Sequence, residues 1–144
     1  TTNTGMTPWS VEVPAHPDSV GKLAAVWKEL VGGLSLGEVD AQWLFEMELC
    51  FMEVATNAVE HGAPPDGVQE PIEISAQLDG EVLEVSVCDA GPGIPDFESR
   101  GDLPDDLLAE SGRGLAIVHQ LIPDVRYDKA EPKNRLTLRR PLKR

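Results

Sequence analysis

The sequence predicts an α+β sandwich, a mixed or antiparallel sheet covered on one face by three helices. Three observations predict it. Two stretches in the first half repeat their apolar residues at helical spacing. Two strand-like runs then meet at Asp79-Gly80, a two-residue hairpin signal. After a polar segment rich in Gly, Pro and Asp comes a third, shorter helix with two more strands behind it, so the order reads β-α-α-β-β-lid-α-β-β.

Element by element, Trp9-Ser-Val-Glu-Val13 alternates apolar and polar and suits a half-buried strand. Pro14 and Pro17 break it, and Asp18 or Ser19 can cap a helix starting near Val20. Val20, Leu23, Ala24, Trp27, Leu30 and Val31 form its stripe, up to a stop at Gly32-Gly33. A second helix runs from about Glu38 to His61, with Trp43, Met47, Cys50, Val54 and Ala58 on one line and Leu44, Phe51 and Ala55 widening it. The loop Ala-Pro-Pro-Asp-Gly (63–67) follows, then strands Ile72–Leu78 and Val82–Val87. Residues Asp89–Gly112 are an irregular polar stretch, with room for a short helical turn at Asp105–Ala109; so long a segment in one domain is expected to be functional. Arg113–Leu121 is the third helix, stopped by Pro123, and strands Asp124–Lys129 and Arg135–Arg139 close the chain. Residues 1–8 are expected to be a disordered tail or a remnant outside the fold, and 9–144 a single domain.

Composition bounds the function. With 144 residues and a hydrophobic fraction of 41%, the chain can bury a full core. It has no apolar run near the roughly 20 residues of a membrane span and no signal-peptide pattern, so a cytoplasmic location is expected. Cys50 and Cys88 lie in apolar runs and are expected to be reduced, buried packing residues. The net charge is −13, with 23 acids against four bases in residues 1–125 and eight bases against two acids in 126–144. An acidic body argues against nonspecific nucleic-acid binding, which depends on neutralising phosphates. It fits a basic protein partner and equally a solubilising surface.

Three segments carry chemistry. Residues four apart on a helix drift by about 40°, so Glu53, Asn57 and His61 share one arc beside the apolar stripe. Asn57 can offer its amide oxygen to Mg²⁺, and Glu53 can accept a proton from an attacking hydroxyl or water. Alone, the pattern reads first as the solvent edge of an amphipathic helix. Asp89 leaves a strand just before Gly91 and Gly93; its ionised carboxylate only accepts, which suits the exocyclic amine of adenine, and the glycines permit close backbone approach. A plain turn would look the same. Ser111-Gly112-Arg113-Gly114-Leu115 opens a helix whose unpaired N–H groups favour anions, with Arg113 in reach of phosphate. His61 is expected near the phosphates or as a dipole-favoured last helix residue. No Gly-Lys-Ser/Thr occurs and no G-x-G-x-x-G follows the first strand, which excludes a P-loop and a Rossmann fingerprint. In combination, the three segments read as an ATP pocket.

Taken together they resemble the GHKL superfamily of ATPases and kinases. Glu53-x-x-x-Asn57-Ala-x-x-His61 looks like its N box, Asp89-x-Gly91-x-Gly93-Ile94 like its first glycine box, and Gly112-Arg113-Gly114-Leu115 like a shortened second one. Within it the chain is most similar to RsbW/SpoIIAB-type anti-sigma-factor serine kinases, through its size, Asn-Ala-Val-Glu-His-Gly and Gly-Arg-Gly-Leu-Ala-Ile-Val. The resemblance implies that Glu53 is the base, Asn57 the Mg²⁺ ligand and Asp89 the adenine reader, with a lid at about 94–112. It implies ATP and Mg²⁺ as cofactors, a serine of a STAS anti-anti-sigma protein as substrate, a sigma factor or similar regulator as second partner, and a homodimer. Alternatives are a nucleotide-binding sequestration module without useful turnover, or an ATPase domain of a larger phosphatase–kinase regulator. One departure stands out: where the family places Gly-Thr at the start of the last strand, its threonine supporting the adenine aspartate, this chain has Lys133-Asn134, whose amide can hydrogen-bond similarly, with Thr137 three residues on.

Overall fold

The computed structural model describes residues 8–61, 70–91, 110–130 and 133–144. Strand β1 (Trp9–Val13) leads through a 3₁₀ segment, Pro17–Lys22, into α1 (Leu23–Leu34). Helix α2 (Ala41–His61) follows, then β2 (Ile72–Asp79), β3 (Val82–Asp89), α3 (Glu110–Leu121), β4 (Asp124–Ala130) and β5 (Lys133–Pro141). The strands form one sheet in the order β1-β2-β3-β5-β4, and every neighbouring pair is antiparallel. Of the two sheet types expected, this is the antiparallel one.

Strand alternation fixes which side is covered. Paired residues across the sheet share a face, so Val11, Ile74, Val87, Leu136 and Tyr127 form one row and Trp9, Ala76, Val85, Leu138 and Val125 the next. Both rows join the core with Leu23, Trp27 and Leu30 of α1, Met47, Phe51 and Val54 of α2, and Leu115 and Val118 of α3. The other face carries Glu73, Gln77, Glu84, Arg135 and Arg139 around a buried Ser86–Thr137 hydroxyl pair (3.0 Å). The buried residues of the three helices pack with the opposite face.

Several boundaries differ from expectation. The first helix begins three residues late, because the 3₁₀ segment intervenes; its cap is His16, whose Nδ1 accepts from Asp18 N–H (3.1 Å). It also passes through Gly32-Gly33 and ends at Leu34, with Ser35 taking the left-handed capping conformation (φ 52°). Leu34 and Leu36 are buried, and this burial carries the helix past its two weak formers. Helix α2 starts at Ala41, where Asp40 caps it by accepting from Trp43 N–H (3.0 Å). The hairpin loop is Gly80-Glu81, one residue on from Asp79-Gly80, with Asp79 paired to Val82 and Gly80 at φ +63°. Helix α3 starts at Glu110, three residues before the expected Arg113, because Glu and Ser favour a first turn and the glycines interrupt nothing.

The two glycines of α1 differ in surroundings. A Cβ at Gly32 meets nothing within 4 Å, whereas one at Gly33 would lie 2.9 Å from Trp9 Cδ1. Gly32→Ala is therefore expected to stabilise the protein by about 0.5–1 kcal/mol through helix propensity. Gly33→Ala must displace the indole and is expected to cost about 1 kcal/mol net. Urea midpoints of the two variants, read side by side, check the contrast.

The basic C-terminal stretch finds its acids within the chain. Arg139 pairs with Glu84, Asp79 and Asp124, Arg140 with Glu46, Lys133 with Glu73 and Arg144 with Glu81. Arg140 also stacks over Trp43, whose Nε1 donates to Pro141 O (2.8 Å). Arg144 donates to the carbonyls of Leu36 and Glu38, so the chain end straps the α1–α2 connection.

Candidate functional site

Helix α2 is the axis of the site. Its Cys50, Phe51, Val54, Ala55, Ala58 and Val59 are buried, while Glu53 and Asn57 sit at the half-buried margin of that face. Among the described residues neither of the two has a hydrogen-bond or ion-pair partner, so a carboxylate and an amide one turn apart are left available to a ligand. Burial pushes the Cys50 thiol up to about 11 and raises that of Cys88 as well, with Arg140 and Arg135 opposing. Both cysteines are free, as expected. His61 is the last residue of α2, and its side chain lies outside the described residues.

Asp89 closes β3 directly opposite Asn134 of β5. In the register this pair follows Val87–Leu136 and Val85–Leu138, so it prolongs the helix-facing row to the edge of the core. Asp89 Oδ1 accepts from Gly91 N–H (2.9 Å) and from Asn134 Nδ2 (3.2 Å), and the same Nδ2 donates to Gly91 O (3.0 Å). Both described bonds fall on Oδ1, which leaves Oδ2 as an acceptor for a ligand amine. Thr137 faces the opposite side of the sheet and bonds Ser86. Lys133 likewise turns away to Glu73, which raises its pKa.

Gly93 and Ile94 lie outside the described residues, as do the loop 63–67, the turn expected at 105–109 and most of the expected lid. Its last three residues, 110–112, are the start of α3. A helix leaves the N–H groups of its first turn unpaired, so the anion-favouring end lies at Glu110–Gly112, with Arg113, Gly114 and Leu115 further inside. Leu115 is buried in the core. Helix α2 packs against both β3 and α3, which makes the elements carrying all three segments neighbours. Among the described residues no group of His, Cys, Asp and Glu makes a metal cluster.

With this geometry in view, the family model for the histidine kinase-like ATPase domain matches residues 13–140. The chain belongs to that family. Two Anti-sigma F factors of Bacillus licheniformis are similar to this ATPase domain, at 33% and 32% identity over 92 residues. Those matches cover 60% of this chain and 61% of each relative. Among solved structures, the RsbU and RsbW domains of a Mycobacterium tuberculosis protein superpose with a TM-score of 0.67 at 22% identity, over 96% of this chain and 33% of that one. The histidine kinase domain of a blue-light activated histidine kinase from Erythrobacter litoralis gives 0.56 at 21%, over 90% and 61%. At these identities the structural likeness speaks to the fold: three helices on an antiparallel sheet.

The sequence pointed to Asp89 and raised Asn134 as a departure from the family pattern that can bond the aspartate in the threonine's place. The bond to the Gly91 carbonyl had no signal in the chain, since it depends on the register of β3 against β5.

Proposed function

We propose that this domain binds ATP with Mg²⁺ and is a protein serine/threonine kinase of the anti-sigma-factor type. Its substrate would be a serine of a STAS-domain anti-anti-sigma protein, and its second partner a sigma factor or similar regulator, exchanged in a partner switch. The observation that carries the reading is Asp89, anchored through Oδ1 at the edge of the core with Oδ2 left to accept. The half-buried Glu53–Asn57 margin on the adjacent helix and the similarity to anti-sigma F factors support it. A homodimer in the cytoplasm belongs to the same proposal. No helix among the described residues is long and apolar enough to cross a membrane.

ATP would supply the phosphoryl group and Mg²⁺ the counter-charge. Asp89 would hold the base by accepting from its amine. Asn57 would offer its amide oxygen to the metal, and the first N–H groups of α3 with Arg113 would face phosphate. Glu53 would orient the serine hydroxyl and take its proton.

A second reading, a domain of a larger phosphatase–kinase regulator, is favoured by the match to one third of a chain that carries both RsbU and RsbW domains. The sequence flanking this domain in its gene decides between the two.

Calorimetric titration with ATP and ADP, with and without Mg²⁺, tests the pocket. Wild type is expected to bind in a Mg²⁺-dependent manner, and Asp89→Asn to lose roughly 10- to 100-fold, the worth of a charge-assisted hydrogen bond. A folded wild type that binds neither nucleotide would leave the fold serving protein contacts only.

A further inference from the structure

We propose that the outer ridge of α2 is a docking face for a basic amphipathic helix of a protein partner. It needs neither nucleotide nor phosphotransfer and stands apart from the kinase reading. Phe45 is 60% exposed, the one large apolar side chain left open among the described residues. A lone exposed apolar residue is ordinary, but Phe45 is not alone. At about 100° per residue, Phe45, Leu49, Met52 and Thr56 fall within an arc of about 60°. Leu49 and Met52 are half-buried, so an apolar line about 10 Å long stands open over two turns.

The line is the crest of the helix layer. Met47, Val54 and Ala58 are buried and centre on the opposite side of α2, which packs on β3. Helices α1 and α3 both pack against α2, the first through the Trp27–Phe51 contact.

Charge decides what can cover the ridge. Helix α2 carries Glu46, Glu48, Glu53 and Glu60 and neither lysine nor arginine. Glu46 is matched by Arg140. Glu48 borders the ridge on one side, Glu53 and Glu60 on the other, and among the described residues none of these three has an ion-pair partner. A second copy laid ridge to ridge would set these carboxylates against their own counterparts, and an anionic bilayer would repel them likewise. An apolar strip edged by lysine or arginine complements both the ridge and its borders. Spacing selects the shape, because apolar residues at i, i+4 and i+7 form the kind of ridge that packs into the grooves of another helix.

The probe is a synthetic peptide of about 18 leucine and lysine residues, with leucines at the a and d positions of a heptad. One control is a scrambled peptide of the same composition, and the other is the striped peptide with glutamate in place of lysine. Affinity is read by fluorescence anisotropy at about 0.15 M salt, where exposed charges are screened beyond a few ångströms. Wild type is expected to bind the basic striped peptide at least about tenfold more tightly than either control. Phe45→Gln is expected to lose about tenfold or more of that affinity with an unchanged melting temperature, and Phe45→Leu to stay within about threefold of wild type. Leu49→Gln, the second variant, should follow Phe45→Gln. Equal affinity for the striped and scrambled basic peptides, or undiminished affinity in both glutamine variants, overturns the proposal. Dimerisation abolished by Phe45→Gln would give the ridge to a second copy, and sedimentation with phosphatidylcholine–phosphatidylglycerol vesicles abolished by the same change would give it to lipid. Either result also overturns the assignment.

Discussion

Glu53→Gln is expected to leave ATP affinity within about twofold of wild type while phosphotransfer falls by about 10²–10⁴, the usual contribution of a positioned general base. The reasoning starts from where the side chain sits. Glu53 lies between the buried faces of Cys50 and Val54 and the open side of α2, half-exposed and with no partner among the described residues. A structural carboxylate at that depth would be expected to hold an arginine or a helix end, as Glu46 does with Arg140. Glutamine keeps the shape and the hydrogen bonds but cannot take a proton, so binding and chemistry separate. The readout is Mg·ATP-dependent phosphoserine on a STAS-domain partner, beside calorimetry on the same preparation. Undiminished transfer would remove Glu53 from the role of base. ATP binding by wild type without any transfer would favour the sequestration module.

How much of this was legible in the chain depends on the range of the contacts involved. The core stripe of α2 repeats every three to four residues, so its buried face and the Glu53–Asn57 margin both follow from spacing along the chain. The β2–β3 hairpin was legible too, displaced by one residue because Gly80, the one with positive φ, takes the first loop position rather than the second. The ends of α1 were not legible. Local propensity places a stop at Gly32-Gly33, yet Leu34 and Leu36 are pulled into the core and the Trp9 ring, 24 positions earlier than Gly33, covers a site where only glycine fits. The basic C-terminal stretch could be counted but not interpreted, since its acids lie far away in sequence at Glu46, Glu73, Glu81 and Glu84. Likewise Asp89 announced itself by its glycines, while the amide that holds it is 45 residues on and becomes its neighbour only when β5 pairs with β3.

Phe51→Ala should produce the largest loss of stability of any single change considered, about 3–5 kcal/mol for truncating a buried aromatic ring. Phe51 is fully buried, its ring centroid is 5.2 Å from that of Trp27, and the pair joins α2 to α1 above the sheet. Domains of this size have only about 5–15 kcal/mol in hand, so the variant is expected to melt on the order of 10 °C or more below wild type. Differential scanning calorimetry measures this directly; a drop of only a degree or two would mean that the core closes around the gap. The same change also bears on the site. Positions 51 and 53 point about 160° apart around the helix, since two residues advance it by about 200°. Phe51 therefore anchors the far side of α2 and sets the rotation at which Glu53 and Asn57 face outward. Phe51→Leu retains most of the volume and is expected to cost about 1–1.5 kcal/mol while preserving that rotation. Its ATP affinity, measured well below its melting point, should match wild type. A large affinity loss in a folded Phe51→Leu would mean that the pocket depends on the exact seating of α2, and that the two faces of the helix are coupled rather than independent.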